Sequence, residues 1–145
     1  MGTGVCLSPF RLSKKWLRGF FDTLHKEDWD MVRKNAEMAR LEKPEMWGGA
    51  GTVRMTQIVR EEELMGKGRL FNHITIDPGC SIGLHTHTGE AEYFYILSGS
   101  GVASDNGQEI LLEKGDMLRT GDGECHALRN DGVEPLELVA VILFS

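Results

Sequence analysis

The stretch Gly79-Cys80-Ser81-Ile82-Gly83-Leu84-His85-Thr86-His87-Thr88-Gly89-Glu90-Ala91-Glu92-Tyr93-Phe94-Tyr95-Ile96-Leu97-Ser98-Gly99 decides how this chain is read. Gly79 is followed after five residues by His85-Thr86-His87, after four more by Glu92, and after six more by Gly99. His85 and His87 share parity, so on one strand both rings point to the same face. Glu92 shares parity with Phe94 and Ile96, which sets it on the inner face of its own strand beside an apolar lining. Downstream, Gly115 is followed by Gly121-Asp122-Gly123, then His126, then Asn130. His126 shares parity with Leu128 and Asn130 on a third strand. Three inward-pointing elements thus converge His85, His87, Glu92 and His126, a ligand set for a borderline divalent cation. One inward histidine would read as an ordinary core residue. Three with a carboxylate do not, because buried polar groups need partners and a buried carboxylate needs a cation. Glu90 has the parity of Glu92 and is the rival carboxylate, in its place or behind it; the spacing favours Glu92. Glycines 79, 99, 115, 121 and 123 are expected at positive φ in tight corners.

Around this stretch the chain from Gly48 onward reads as short strands separated by turns: 53–60, 69–77, 93–97, 102–104, 110–112, 117–120, 125–129 and 136–144. Pro78-Gly79 and Asp105-Asn106-Gly107 are turn signals, and Asn-Gly is a strong hairpin signal. Many short strands with glycine-rich turns predict an all-β sandwich or barrel. Residues 93–97 and 138–144 are apolar on both faces, whereas a strand of a lone small barrel has one wet face. A covering sheet or subunit is therefore expected, and with it a homodimer.

Residues 1–47 differ in character. Trp16, Leu17, Phe20, Phe21 and Leu24 form one helical stripe with Ser13 as a candidate N-cap. Residues 29–41, with Met31, Val32, Met38 and Leu41, suggest a second short helix ending before Pro44. The expected organisation is a helical N-terminal extension over 1–47 and a β-barrel domain over 48–145.

The 145 residues are enough for one domain with a real core. Acidic residues outnumber basic ones 22 to 16, a net charge of -6, which argues against nucleic acid or an anionic membrane as partner. Cys6, Cys80 and Cys125 are too few and too irregular for a disulfide framework and read as reduced thiols of a cytoplasmic protein. Cys125 neighbours His126, so on a strand it faces away from the cage. No stretch approaches the ~20 apolar residues of a membrane span.

These motifs resemble those of the cupin superfamily, in particular the small single-domain cupins of the cupin 2 type. Gly79, His85, His87, Glu92 and Gly99 fill the fixed positions of the first cupin motif. Gly115, Gly123, His126 and Asn130 fill those of the second, with Gly121 where proline is usual. The resemblance covers about residues 48–144. It implies a double-stranded β-helix (jelly-roll) barrel holding one divalent metal ion (Mn, Fe, Ni or Zn) on His85, His87, Glu92 and His126. Small single-domain cupins resembling this chain often begin near Met31, which implies that residues 1–30 are an extension the fold does not require.

A divalent ion with one carboxylate and three neutral imidazoles carries a net single positive charge. Four protein ligands in an octahedral shell leave two adjacent positions, suited to a bidentate carboxylate, keto acid, enediol or sugar. The expected function is a small-molecule enzyme of decarboxylase, dioxygenase or isomerase type, similar to the oxalate-decarboxylase-like and sugar-isomerase-like cupins. A non-catalytic metal-dependent binding or sensor module is the alternative, and a metal that only braces the barrel a third reading. His73 and Arg119 are general-base candidates only if they face the pocket. A ligand shell open to a cleft with further polar side chains favours an enzyme; a closed one favours bracing.

Overall fold

A computed structural model describes residues 32–145. The helical stripe at 16–24, its Ser13 cap and Cys6 lie outside the described residues. Ten strands follow: β1 (Arg40–Pro44), β2 (Thr52–Val59), β3 (Gly68–Ile76), β4 (Ser81–Thr86), β5 (Glu90–Ser98), β6 (Ser100–Asp105), β7 (Gln108–Glu113), β8 (Met117–Thr120), β9 (Cys125–Arg129) and β10 (Leu136–Phe144). They form two antiparallel sheets, one in the order β1-β2-β3-β10-β5-β8 and the other β4-β9-β6-β7. The all-β jelly-roll architecture is the one expected. No helix among the described residues is long and apolar enough to cross a membrane.

The core lies between the inner faces and follows strand alternation. On β10, Leu136, Leu138 and Ala140 are fully buried, and Val139 and Val141 between them are half-buried. On β5, Glu92, Phe94 and Ile96 point inward and Tyr95 is half exposed. Val53, Ile74 and Ile76 from one sheet meet Ile82, Ala103 and Leu128 from the other. The side chain of Asn130 donates to the carbonyls of Ile76 and Glu134, both at 2.8 Å, and accepts from the Gly132 amide at 2.9 Å. One fully buried carboxamide thus closes the loop before β10 without leaving its own polar atoms unpaired. Asn106 and Gly107 both adopt positive φ between the paired residues Asp105 and Gln108, the two-residue hairpin the sequence announced.

Three expectations are corrected. The described part of residues 29–41 is not a helix. It holds a single 3-10 turn, Asn35–Glu37, and then enters β1, which pairs with β2 from Arg40 opposite Thr56 to Pro44 opposite Thr52. The sheet therefore begins before Gly48, and the expected boundary between extension and barrel falls inside it. All five residues of β1 are exposed, so no buried face left an alternating signature in its sequence. Gly121 does not take positive φ, unlike Gly79, Gly99, Gly115 and Gly123. Its lack of a side chain serves close approach instead: an added Cβ would lie 2.8 Å from the Arg119 guanidinium. Finally, β4 ends at Thr86, so His87 stands one residue past it rather than on the same strand as His85.

Arg33 ties the first described residues to the β2–β3 connection. Its guanidinium donates to the Ile58 carbonyl at 3.0 Å and pairs with both carboxylate oxygens of Glu63. Glu63 also accepts the Arg60 amide at 2.7 Å. The hydrogen bond from Arg33 holds the Glu63 carboxyl below the usual carboxylate range. A carboxyl whose folded pKa is depressed stabilises above its unfolded value, and that stabilisation disappears as pH falls through the folded pKa. Glu63→Gln is therefore expected to cost on the order of 0.5–1 kcal/mol at pH 7, a partly screened pair. Urea midpoints should show the two proteins converging as pH drops below ~4; a gap that persists at low pH overturns this account.

Candidate metal centre

Four side chains from three parts of the chain meet inside one end of the barrel. The Glu92 carboxylate Oε2 lies 2.8 Å from His126 Nε2, 3.1 Å from His87 Nε2 and 3.7 Å from His85 Nε2. His126 Nε2 is 3.2 Å from His87 Nε2 and 3.1 Å from His85 Nε2. One donor atom from each residue falls within 4.8 Å of all the others. His87, Glu92 and His126 are buried and His85 is nearly so.

The local backbone explains the convergence. The β4–β9 pairing shifts register between Ile82 and His85, a bulge that re-aims the strand. Ile82 packs in the core, yet His85, of opposite parity, also reaches the interior. His85 sits opposite His126 across the same pairing. Beyond β4 the backbone of His87 continues to pair, donating to the Glu124 carbonyl at 3.1 Å and accepting from Gly123 at 2.8 Å. The turn 121–124 thus holds His87 where a strand no longer does.

Each imidazole is fixed through its other nitrogen. His85 Nδ1 donates to the Gly83 carbonyl at 2.9 Å, and His87 Nδ1 donates to Glu90 Oε1 at 2.9 Å. His126 Nδ1 pairs with the Thr120 hydroxyl at 2.8 Å. A ring that donates through Nδ1 carries its lone pair on Nε2 when neutral. Lone pairs of at least two rings and a carboxylate oxygen therefore face one another, an arrangement that asks for a cation. Where no cation is bound, a proton on Nε2 takes its place: burial pushes the Glu92 carboxyl up, and hydrogen bonds from the protonated rings of His126, His85 and His87 outweigh it and hold it well below the usual range. The spacing fits a metal shell: donors ~2.1 Å from one ion at right angles lie ~3.0 Å apart. Stacking adds rigidity. Trp47 lies on His85 with centroids 5.0 Å apart and planes at 7°, and Phe94 lies on His126 at 4.9 Å and 19°.

Glu90 stands behind the cage rather than in it. It receives two hydrogen bonds from Arg69, at 2.7 and 2.6 Å, while accepting from His87. The hydrogen bond from Arg69 keeps its carboxyl low, and that of His87 adds to it. The chain Arg69–Glu90–His87 fixes ring orientation and raises the basicity of Nε2. Glu90→Gln is expected to weaken metal affinity about 10–100-fold while leaving the fold intact. A metal titration with unchanged affinity would show that His87 needs no such anchor.

The centre opens on a cavity of about 480 Å³ that reaches His85, His87 and Glu92, with Trp47, Arg69 and Asn72 among its lining. The two general-base candidates do not reach it. His73 faces the opposite side of β3, 3.7 Å from Glu137, and Arg119 pairs with Glu124 at 3.8 Å. Cys125 likewise points away, its Sγ 3.9 Å from the Asn106 side chain, and Cys80 and Cys125 are free thiols. The second lip of the cavity was missed by sequence reading. Leu41, Lys43 and Trp47 line it from residues expected to be an extension. Trp47 adopts positive φ, and a Cβ on Gly83 would run into its carbonyl, so backbone lies directly on backbone. The only sequence signal is Gly48-Gly49 and Gly51 after Trp47, which allow this close approach.

A cupin domain model matches residues 72–142. The chain is 41% identical over 118 residues to the oxalate-binding protein of Thermotoga maritima, an alignment covering 81% of this chain and 98% of that protein. The crystal structure of a predicted oxalate decarboxylase from Thermotoga maritima superposes with a TM-score of 0.76 at 40% identity, over 79% of this chain and all of that one. A sugar phosphate isomerase of Silicibacter pomeroyi shares the fold, with a TM-score of 0.62 at 18% identity over 79% of this chain and 76% of that one. Fold, motif spacing and near full-length similarity agree: this chain belongs to the cupin family.

Proposed function

We propose that the protein binds one divalent metal ion (Mn, Fe, Ni or Zn) through His85, His87, Glu92 and His126 and uses it to hold a small oxygen-rich carboxylate. Oxalate is the first candidate, from the relative that carries its name. The observation that supports this reading is the facing set of imidazole Nε2 atoms and the Glu92 carboxylate, 2.8–3.7 Å from one another, with each Nδ1 engaged outside the set. The ion would supply a Lewis acid and a template for a bidentate anion. The chain itself orients the rings, through Gly83, Glu90 and Thr120, and stacks Trp47 on His85 and Phe94 on His126. The mouth on the cavity favours binding or turnover over a metal that merely braces the barrel.

In its enzymatic form the proposal has the ligand converted by decarboxylase, dioxygenase or isomerase chemistry; in its binding form the ligand is held unchanged. Elemental analysis after growth with each metal should find about one ion per chain. Oxalate should then bind the loaded protein and not the stripped one. Consumption of bound oxalate or of a small sugar separates enzyme from binding module. Absence of metal under every loading condition overturns both forms.

We also infer a homodimer. Tyr93, Tyr95, Val139 and Val141 form an apolar outer face across β5 and β10, and Tyr95, Leu143 and Phe144 remain 50%, 39% and 45% exposed in the single chain. Sedimentation as a monomer at micromolar concentration would contradict it.

A further inference from the structure

Two carboxamides of the cavity lining make almost no side-chain hydrogen bonds among the described residues. Asn72 lies on β3 with 4% of its surface exposed, in a wall otherwise made of side chains such as Leu70 and Ile74. Its one hydrogen bond is from Nδ2 to the Met55 thioether sulfur, 3.7 Å away, a weak acceptor. Its carbonyl oxygen has no partner among the described residues, yet no fully enclosed side-chain polar atom is left unpaired, so that oxygen meets the cavity. Directly opposite Asn72 in the β2–β3 pairing is Gln57, also in the cavity lining, whose side chain makes no hydrogen bond among the described residues. Asn130 shows the contrast, since all its polar atoms are consumed by the backbone. A buried amide without a partner costs about 1–3 kcal/mol. Asn72 is buried and Gln57 half-buried, and both present amide groups to the one cavity with spare hydrogen-bonding capacity among the described residues, a place for a ligand's polar group.

Their distance from the metal centre follows from the sheet. Asn72 pairs with Ala140, and Ala140 with Phe94, so Asn72 is two strands from β5 and level with Phe94. Glu92 is two residues along β5 on the same inner face. With ~4.8 Å between strands and ~3.4 Å per residue, Asn72 and Glu92 are roughly 12 Å apart at the backbone. The 480 Å³ cavity has room for roughly sixteen water-sized groups at about 30 Å³ each, far more than a two-carbon dicarboxylate fills.

Resting on the metal-carboxylate reading above, we propose that Gln57 and Asn72 form a second recognition point of the cavity. The ligand is then an elongated 2-oxo or 2-hydroxy acid, its head at the metal centre and a hydroxyl, carbonyl or amide at its far end on the two carboxamides. The side chains between the two points are apolar, so the linking segment is hydrocarbon.

The test uses the full-length, metal-loaded protein and calorimetric titration with linear 2-oxo acids of increasing length, each in a pair ending in hydroxyl or methyl. Oxalate, which reaches only the metal centre, is the control. A terminal hydroxyl should improve affinity about tenfold at one chain length, the effect of satisfying a buried polar site. Asn72→Leu, and separately Gln57→Leu at its half-buried position, should abolish that advantage while oxalate affinity stays within twofold. No hydroxyl advantage at any length, or one that survives both substitutions, overturns the inference while oxalate binding leaves the metal-carboxylate reading standing. Failure of oxalate itself to bind the loaded wild-type protein strikes that reading instead.

Discussion

Replacing His85 and His87 together by alanine is expected to reduce bound metal from about one ion per chain to a trace, the largest functional effect available from two substitutions. Both Nε2 atoms belong to the converging set, and Glu92 with His126 alone leaves half a shell. The loss should exceed the 10–100-fold that removal of an outer partner such as Glu90 produces. The two sites differ in what is left behind. His85 is held by a backbone carbonyl and by Trp47, and once both rings are gone the buried Glu92 carboxylate keeps His126 as a partner at 2.8 Å. Removal of His87 leaves Glu90 still paired with Arg69, which keeps that carboxylate satisfied. The double variant should therefore fold, with far-ultraviolet circular dichroism like the parent, and fail only in elemental analysis. Metal retained at full stoichiometry would mean that other residues hold it.

Phe94→Ala is expected to give the largest loss of stability among single changes that touch the site, about 3–5 kcal/mol. Phe94 is 1% exposed, sits in the middle of β5, and packs in the core cluster with Ile96, Leu118 and Leu138. The same ring stacks on His126. Its deletion leaves a cavity in the core and removes the surface that fixes one imidazole. Thermal unfolding should shift by about 10–20 °C for a domain of this size. Excess metal should recover part of the shift, because an ion that binds only the folded state stabilises it by mass action. Phe94→Leu, which keeps an apolar body, should cost less. Equal losses in both variants would show that ring stacking on His126 outweighs the lost volume.

Much of this was legible in sequence because it depends on period and spacing. Strands β8, β9 and β10 begin and end where turn residues and apolar runs placed them, at Met117–Thr120, Cys125–Arg129 and Leu136–Phe144. The inward parity of Glu92 and His126 follows from the twofold repeat of any strand whose neighbours are buried. The hairpin at Asn106-Gly107 is encoded by the two residues that best tolerate positive φ. What could not be read has a common cause. β1 is an exposed edge strand with no apolar alternation, so its sequence carries no strand signal. The bulge in β4 lets His85 face inward although Ile82, of opposite parity, does so too, and it depends on pairing with β9, more than forty residues away. The close approach of Trp47 to Gly83 is likewise a contact between distant backbones.

The sequence by itself determined the class of fold, the four side chains of the cage and their donor chemistry, because strand period and motif spacing are local quantities. Tertiary structure decided what becomes of the rival carboxylate, Glu90, which stands behind the cage. Glu90 and Glu92 have one parity and two fates, since Arg69 on a non-adjacent strand captures the first. It also decided the cavity, whose β1 lip and paired Gln57 and Asn72 are brought to the metal centre only when the sheet closes. A pocket is made of residues far apart in the chain, and no spacing rule records where they meet.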